Sequence, residues 1–203
     1  MEFRTDRTGV LLDLLATSAD MSRERLASLT DDEYLWSPVP DCWTLRRRGD
    51  PTAASNAYGP GEWLIDADEA VGDPPPFTTI AWRLSHLTTG FASRSEWSFG
   101  SHRVDPSDVV DFAPTAREGL ELLWGAVQEF ADGVAATSES DLDRVGYSAM
   151  PHGLDPFVPF CSIVWWQTRE LVHHTAEAAL MRDLYARRPP AGGGGGGARG
   201  SPG

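Results

Sequence analysis

The segment TRELVHHTAEAALMRDLY, residues 168–185, contains four side chains that can bind a metal ion. A helix turns by about 100° per residue, so Glu170, His174 and Glu177 fall in one stripe of this predicted helix. His173 lies at the edge of that stripe. A buried carboxylate must be paired, hydrogen-bonded or metal-bound, because burying it alone costs several kcal/mol. Glutamate followed three or four residues later by histidine is a spacing that helical bundles use to bind metals.

A divalent ion needs at least one further ligand from a neighbouring helix. His86, in the segment TIAWRLSHLTTGFASRSEW, lies at the flank of a second apolar helix face and could reach the first ligands. In the alternative, His86 is a hydrogen-bonded histidine at the boundary of the core. The glutamate and histidine of the first segment would then pair with Arg83 or Arg169. The residues alone leave both interpretations open.

Four amphipathic helical patterns must position these side chains, and no convincing alternating strand accompanies them. The first covers about residues 8–29 and the second about residues 78–99. The third begins at Thr115, where a capping-box pattern precedes an apolar stripe with helical spacing. The fourth begins with Asp155-Pro156, a favourable N-cap followed by proline, and continues to about residue 187. Four such helices predict an all-α fold, a four-helix bundle.

The connection between the first two predicted helices, residues 30–77, is far longer than a usual bundle loop. It carries several tryptophans, among them Trp43 and Trp63, and forms either a lid, a folded insertion or irregular packing over the side of the bundle. We therefore predict a bundle with a long irregular connection, occupying residues 1–187 as one domain. The Pro/Gly-rich residues 188–203 cannot bury a core and are predicted to be disordered.

Composition narrows the classes of function. The net charge of −13 and the pI near 4.7 disfavour nucleic acids and anionic membranes as partners, because both would repel this surface. We find no run of about 20 apolar residues and no secretory signal, and so expect neither a membrane span nor export. The two cysteines, Cys42 and Cys161, do not make a disulfide framework, which indicates the cytoplasm. All 17 basic residues are arginines, which excludes Schiff-base chemistry and a phosphate-loop lysine.

Three segments of the sequence resemble the DinB-like superfamily: TDDEYLWSPVPDCWTLRRRG, PPPFTTIAWRLSHL and WWQTRELVHHTAEAALMRDLY. The resemblance covers about residues 8–187. Within the superfamily, the chain looks most similar to the actinobacterial branch that is related to mycothiol-dependent enzymes. It implies a four-helix bundle and a divalent metal (zinc, nickel or manganese), held by one histidine of the second helix and two histidines of the fourth. His86 and His174 match two of these ligands, and Glu170 stands where the family has the other histidine. Glutamate favours harder ions, or it marks a metal site that has been lost or remodelled.

The resemblance implies a metal-dependent transferase or isomerase that uses a low-molecular-weight thiol such as mycothiol and acts on a small molecule. A metal at His86, Glu170 and His174 would lower the pKa of that thiol. Glu177 would orient a ligand histidine, and His173 would flank the site. The predicted pocket residues are Trp43, Trp63, Trp82, Trp166 and Arg83.

A competing hypothesis comes from a different class of protein. In it the chain is a non-catalytic helical bundle that has lost the metal and binds a small apolar ligand or a partner protein. The polar stripe would then be an internal hydrogen-bonded network.

If the chain is an enzyme, Arg46 or Arg83 would receive an anionic group of the substrate. Exposed tryptophans would favour a homodimer.

Overall fold

The computed structural model describes residues 5–68, 72–151 and 153–189 of the 203-residue chain. His152, in the loop before the fourth predicted helix, lies outside the described residues, as do residues 190–203 of the predicted disordered tail. Within the described part, no helix combines the length and the apolar character needed to cross a bilayer.

Four long helices hold most of the core, and two one-turn helices lie in the connections between them. The side chains of Asp6, Thr79 and Thr115 cap three of the long helices, each accepting a hydrogen bond from the backbone N–H three residues later. The helices are α1 (Arg7–Leu26), α2 (Asp31–Tyr34), α3 (Ile80–Phe99), α4 (Ala116–Ala135), α5 (Glu139–Leu142) and α6 (Phe160–Tyr185). The four helices predicted from the sequence correspond to α1, α3, α4 and α6.

The segment between α1 and α3 contains a three-stranded antiparallel sheet that the sequence analysis did not predict. The strands are β1 (Leu45–Arg47), β2 (Asn56–Tyr58) and β3 (Trp63–Ala67), in the order β1–β3–β2. The chain is therefore mostly helical rather than all-α, and the description of this connection as irregular is wrong. Of the alternatives for this segment, the structure has a folded insertion. Strands of three to five residues are too short for an alternating pattern to stand out in the sequence.

The fully buried Asp66 joins this sheet to the helices. Its carboxylate accepts hydrogen bonds from Nε of Arg46 at 2.5 Å and from the backbone N–H of Thr44 at 2.9 Å. Its backbone carbonyl accepts a hydrogen bond from the indole Nε1 of Trp82 in α3 at 2.8 Å. The sheet consequently holds the first turn of α3 in place, close to His86.

The start of the fourth predicted helix is also a correction. Residues Asp155–Phe157 form a single 3-10 turn, and α6 begins only at Phe160, after Val158 and Pro159 have adopted extended backbone. A residue before proline is disfavoured in the helical region, so Val158 interrupts the helix. Asp155 is fully buried, and its carboxylate binds Arg94 instead of capping a helix.

Contacts between side chains give the relative directions of the helices. Ser22 of α1 is hydrogen-bonded to Thr175 of α6 at 2.8 Å, and Arg25 pairs with Asp183 at 3.0 Å, so α1 and α6 run parallel. Helix α4 packs against both α1 and α3, and α3 packs against α6. Each of the four long helices therefore contacts two others around a common core.

Aromatic rings fill one end of this core. Phe130 of α4 lies with its ring centre 5.5 Å from Phe91 of α3 and 6.4 Å from Phe160 of α6, in edge-to-face contacts. All three side chains are completely buried. Edge-to-face contacts of this kind add to the stability that apolar burial provides, and they fix how α3, α4 and α6 meet.

Candidate metal centre

The candidate site lies where α3 and α6 pack against each other in opposite directions. Arg83 near the start of α3 pairs with Glu177, whereas Arg94, about three turns later, donates to Oε1 of Gln167 at 2.8 Å. Gly90 allows the close approach between these two points, because a Cβ atom there would lie only 3.0 Å from Nε2 of Gln167. The two helices are thus locked together on both sides of the level at which His86 faces α6.

His86, Glu170 and His174 come together at this level. One ligand atom from each lies within 4.8 Å of the others, which is close enough for all three to converge on a single ion. The rings of His86 and His174 meet edge to face with centres 5.0 Å apart. We call these three residues the ligand cluster. All three residues are ligands predicted from the sequence, and the structure places them side by side.

The contacts of His174 determine which ring nitrogen faces the cluster. Nδ1 lies 2.8 Å from Oε2 of Glu177, and Nε2 lies 3.3 Å from Oε2 of Glu170. An ionised carboxylate can only accept, so we assign the Nδ1–H group as the donor to Glu177 and direct Nε2 at Glu170. The nitrogen lone pair and the carboxylate oxygen then face each other. A metal ion placed between them would be contacted by both atoms.

His86 offers the cluster a neutral imidazole. Burial, with a smaller contribution from the neighbouring His174, lowers its pKa to about 4. The indole of Trp82 stacks on the ring, with centres 5.0 Å apart and an interplanar angle of 7°. Among the described residues, none forms a hydrogen bond with either ring nitrogen of His86. The ring therefore has an unused lone pair, which is what a metal ligand requires.

Glu170 offers the cluster a carboxylate that is already ionised. The hydrogen bond with His174 is the main cause of its lowered pKa, about 2, and the hydrogen bond from Arg169 acts in the same direction against partial burial. Arg169 in turn lies over the ring of Trp166, 4.1 Å from its centre. Arg169 therefore pairs with Glu170, as in the alternative interpretation of the sequence. Glu170 contacts both Arg169 and His174.

Glu177 and His173 lie beside the cluster, as expected from their positions in the stripe. Glu177 accepts from His174 and is itself paired with the buried Arg83, so its carboxylate is held from two helices. His173 is 62% exposed, and its Nε2 lies 3.5 Å from Oε1 of Glu177. His173 therefore contacts Glu177, which holds His174 in place, and is not a member of the ligand cluster.

The predicted pocket residues separate into two groups. Trp82 stacks on His86, and the ring of Trp43 lies 6.0 Å from that of Trp82, so both belong to the surroundings of the cluster. Trp63 lies in β3 opposite Arg47, and in the described part of the chain its ring makes no contact with the cluster's rings. Arg46, considered as an anion-binding residue, is instead paired with the buried Asp66.

One cavity of drug-like size lies away from the cluster. It is an open cleft of about 630 Å³ between α3, α4 and the loop that precedes α4, and none of the cluster residues lines it. Among its lining residues are Thr88, Val110, Leu122 and Glu129. The cavity and the candidate metal centre are therefore different places, and the metal centre is identified by its donor atoms.

Sequence reasoning missed Phe77 and Asp66, which position the pocket residues. The carbonyl of Phe77 accepts from the backbone N–H of Trp43, and that of Asp66 accepts from the indole of Trp82. A usable signal was present, because NAYGPGEWLIDA places a Gly-Pro-Gly turn between two short apolar runs, as a hairpin does.

As the pH falls, protonation of His86 is expected to lower the stability of the metal-free protein before Glu170 becomes protonated. The folded-state pKa of His86 is about 4 and its ordinary value is 6.5, so the unfolded chain binds the extra proton between these pH values. Stability is then complete above pH 6.5 and falls by about 1 to 3 kcal/mol as the pH drops towards 4. Urea unfolding in the presence of a chelator measures this loss. His86→Gln should remove it between pH 6.5 and 4, and an identical slope in the variant would contradict the assignment.

A model described as the DinB superfamily matches residues 14–178. No curated protein and no solved structure matches the chain.

Proposed function

Because the chain belongs to the DinB superfamily, we propose that it binds one divalent metal ion through His86, Glu170 and His174. The observation that carries this proposal is the convergence of three donor atoms within 4.8 Å. Two of these donors are imidazole nitrogens and the third is an ionised carboxylate oxygen. A set of two histidines and one glutamate leaves a coordination position open, as in catalytic zinc sites, and it also suits nickel or manganese.

The fold proposed for the chain is that of the family. We infer that α1, α3, α4 and α6 are its four-helix bundle and that the segment between α1 and α3 is its long connection. The mutual packing of these helices around one core supports this. The two cysteines, both free thiols, support a cytoplasmic location.

The residues around the ligand cluster favour the binding of a metal ion. Burial keeps His86 neutral near pH 7, so no proton has to leave its ring before binding. Glu177 accepts the Nδ1–H of His174 and so directs Nε2 into the cluster, an arrangement that orients metal-binding histidines. Arg83 balances the charge of Glu177 in a buried setting.

We propose further that the activity is that of a transferase or isomerase that uses a low-molecular-weight thiol, mycothiol being our candidate, on a small-molecule substrate. A bound divalent cation would supply a lower pKa for that thiol, so that the thiolate is available at neutral pH. The indoles of Trp43 and Trp82 provide an apolar wall beside the cluster. Apolar walls around a few polar groups are typical of small-molecule sites.

A non-catalytic bundle is the second candidate, and one observation favours it. Each carboxylate at the site already has an arginine partner, since Arg169 pairs with Glu170 and Arg83 with Glu177. A network that is satisfied in this way can stabilise the helix pair without any metal. The chain would then bind a small apolar ligand or a partner protein.

Metal analysis of protein purified without a histidine tag separates the two candidates. We expect about one equivalent of zinc, nickel or manganese per chain, retained through gel filtration. Thiol-transfer assays with that protein should give turnover that falls at least about 100-fold in His86→Ala. His102→Ala is the matched control, because His102 is an exposed histidine in the loop after α3, lies near Trp97 and is not part of the ligand cluster. Less than about 0.1 equivalent of metal, even after incubation with each ion, would leave the non-catalytic bundle as the function.

A further inference from the structure

The outer face of α6, on the side away from Glu170 and His174, is exposed along its whole length. Its three large apolar side chains, Trp165, Val172 and Leu180, are 52%, 47% and 60% exposed. A turn of about 100° per residue puts these side chains and four others within about 80° of each other around the helix. The outer face of α6 consists of Trp165, Arg169, Val172, Ala176, Leu180, Asp183 and, just beyond the helix, Arg187.

Helix α1 extends this face, because it lies beside α6 and runs parallel to it. Val10, Leu14 and Met21 are spaced along one side of α1 and are 53%, 49% and 66% exposed. Two neighbouring helices thus present six large exposed apolar side chains. A contiguous patch of this kind on a helical protein marks an interaction surface.

We propose that this face is an interface between two copies of the chain, in which α6 of one copy packs antiparallel on α6 of the other about a two-fold axis at Ala176. Positions equally far before and after Ala176 then face each other. Arg169 meets Asp183 of the second copy, and Val172 meets Leu180 of the second copy. In each two-fold interface every such pair occurs twice.

The register is supported by charge. Arg169 and Asp183 stand seven residues before and seven residues after Ala176, so the two-fold axis brings opposite charges together on both sides. Their side chains are 48% and 51% exposed although each has a partner within its own chain, which leaves room for a second partner. The same symmetry places Trp165 opposite Arg187 of the second copy, where the guanidinium can lie over the indole.

The size and packing of the face also suit a second copy. Alanine on the axis lets the two helices approach closely, and valine against leucine fills the space on either side of it. The outer face of α6 is about 33 Å long, and with α1 it is about 20 Å wide, so two copies would bury about 1,200 Å² in total. That area is at the lower limit of standard stable interfaces, which predicts a dimer in the micromolar range. An anionic membrane does not fit this face, because the chain carries a net charge of −13.

Paired charge reversals test the register directly. The wild-type chain should sediment at about twice its mass of 22.1 kDa at tens of micromolar. Arg169→Asp and Asp183→Arg should each weaken self-association about 100-fold, because like charges then face each other twice. Mixing the two variants should restore a dimer, since both charge pairs are complementary in the mixed species. Two monomeric variants that stay monomeric when mixed, or a wild-type chain that is monomeric, would overturn the proposal.

A cross-link tests the axis independently of charge. Ala176→Cys should form a disulfide-linked dimer under mild oxidation, because the two introduced thiols meet on the axis. Glu129→Cys on the exposed side of α4 is the matched control and should remain a monomer on a non-reducing gel. The wild-type chain sets the background, since Cys42 is buried and Cys161 is half-buried. Equal cross-linking at both positions would refute the interface, as would Trp165 fluorescence that responds to lipid vesicles and not to protein concentration.

Discussion

His174→Ala is expected to abolish metal binding, with bound metal falling from about one equivalent to less than about 0.1 equivalent per chain. His174 is the ligand whose nitrogen faces Glu170 at 3.3 Å, so its removal leaves only two donors on different helices. Two ligands do not hold a divalent ion against exchange with buffer. Elemental analysis after gel filtration gives the stoichiometry, and competition with a chelating dye gives the affinity.

Two variants show whether the loss comes from the ligand itself. His173→Ala is the matched control, because His173 is the adjacent histidine, is 62% exposed and does not belong to the ligand cluster. It should retain full metal content. Glu177→Gln should weaken binding by about 10- to 100-fold, the usual effect of removing a carboxylate that orients a ligand histidine. If His173→Ala loses metal as completely as His174→Ala does, the ligands have been assigned to the wrong histidine.

Asp155→Ala is expected to be the most destabilising of the substitutions considered, costing about 3 to 5 kcal/mol of the free energy of unfolding. The Asp155 carboxylate is completely buried and accepts from Nη2 of Arg94 at 3.1 Å and from the hydroxyl of Ser148 at 2.6 Å. Arg94 has a side chain that is only 12% exposed, and it would be left with a buried positive charge whose remaining partner is Gln167. Removing one member of a buried pair costs far more than the pair itself contributes.

Urea unfolding at pH 7 with a chelator present measures this loss without a contribution from metal. Glu62→Ala is the comparison, because Glu62 pairs with Arg47 on the surface, where both side chains are more than half exposed. Exposed pairs contribute about 0 to 1 kcal/mol, so this variant should remain close to the wild type. A loss of less than about 1 kcal/mol in Asp155→Ala would show that Arg94 finds water or another acceptor.

Most of the structural features that the sequence predicts follow from the helical spacing of its residues. The stripe of α4 and its cap at Thr115 appear as predicted, because local hydrogen bonds and an apolar face depend on residues three and four apart. The same rule brought Glu170 and His174 together on one side of α6. The grouping of both with His86 needed the antiparallel packing of α3 on α6. The position of His86 on its predicted helix left that grouping open, and the family resemblance favoured it.

The errors have a common physical cause, since each involves a partner that is distant in the chain. Asp155 looks like a helix cap by its neighbours, yet it is buried against Arg94, 61 residues away. The sheet was missed because its strands are short and gain their stability from Asp66, which binds Arg46 and supports Trp82. A local pattern cannot distinguish a carboxylate that caps a helix from one that neutralises a buried arginine.

The packing of α3 on α6 also determines when the metal centre can exist during synthesis of the protein. Arg83 and Glu177, which join the two helices beside the cluster, are 94 residues apart in the chain. His86 therefore leaves the ribosome long before its partners, and α6 is the last of the six helices to be made. A nascent chain folds from its N-terminus onward, so α1, the sheet and α3 must wait with an uncovered apolar side until α6 arrives. All three proposed ligands can therefore come together only after α6 has been made and has packed on α3.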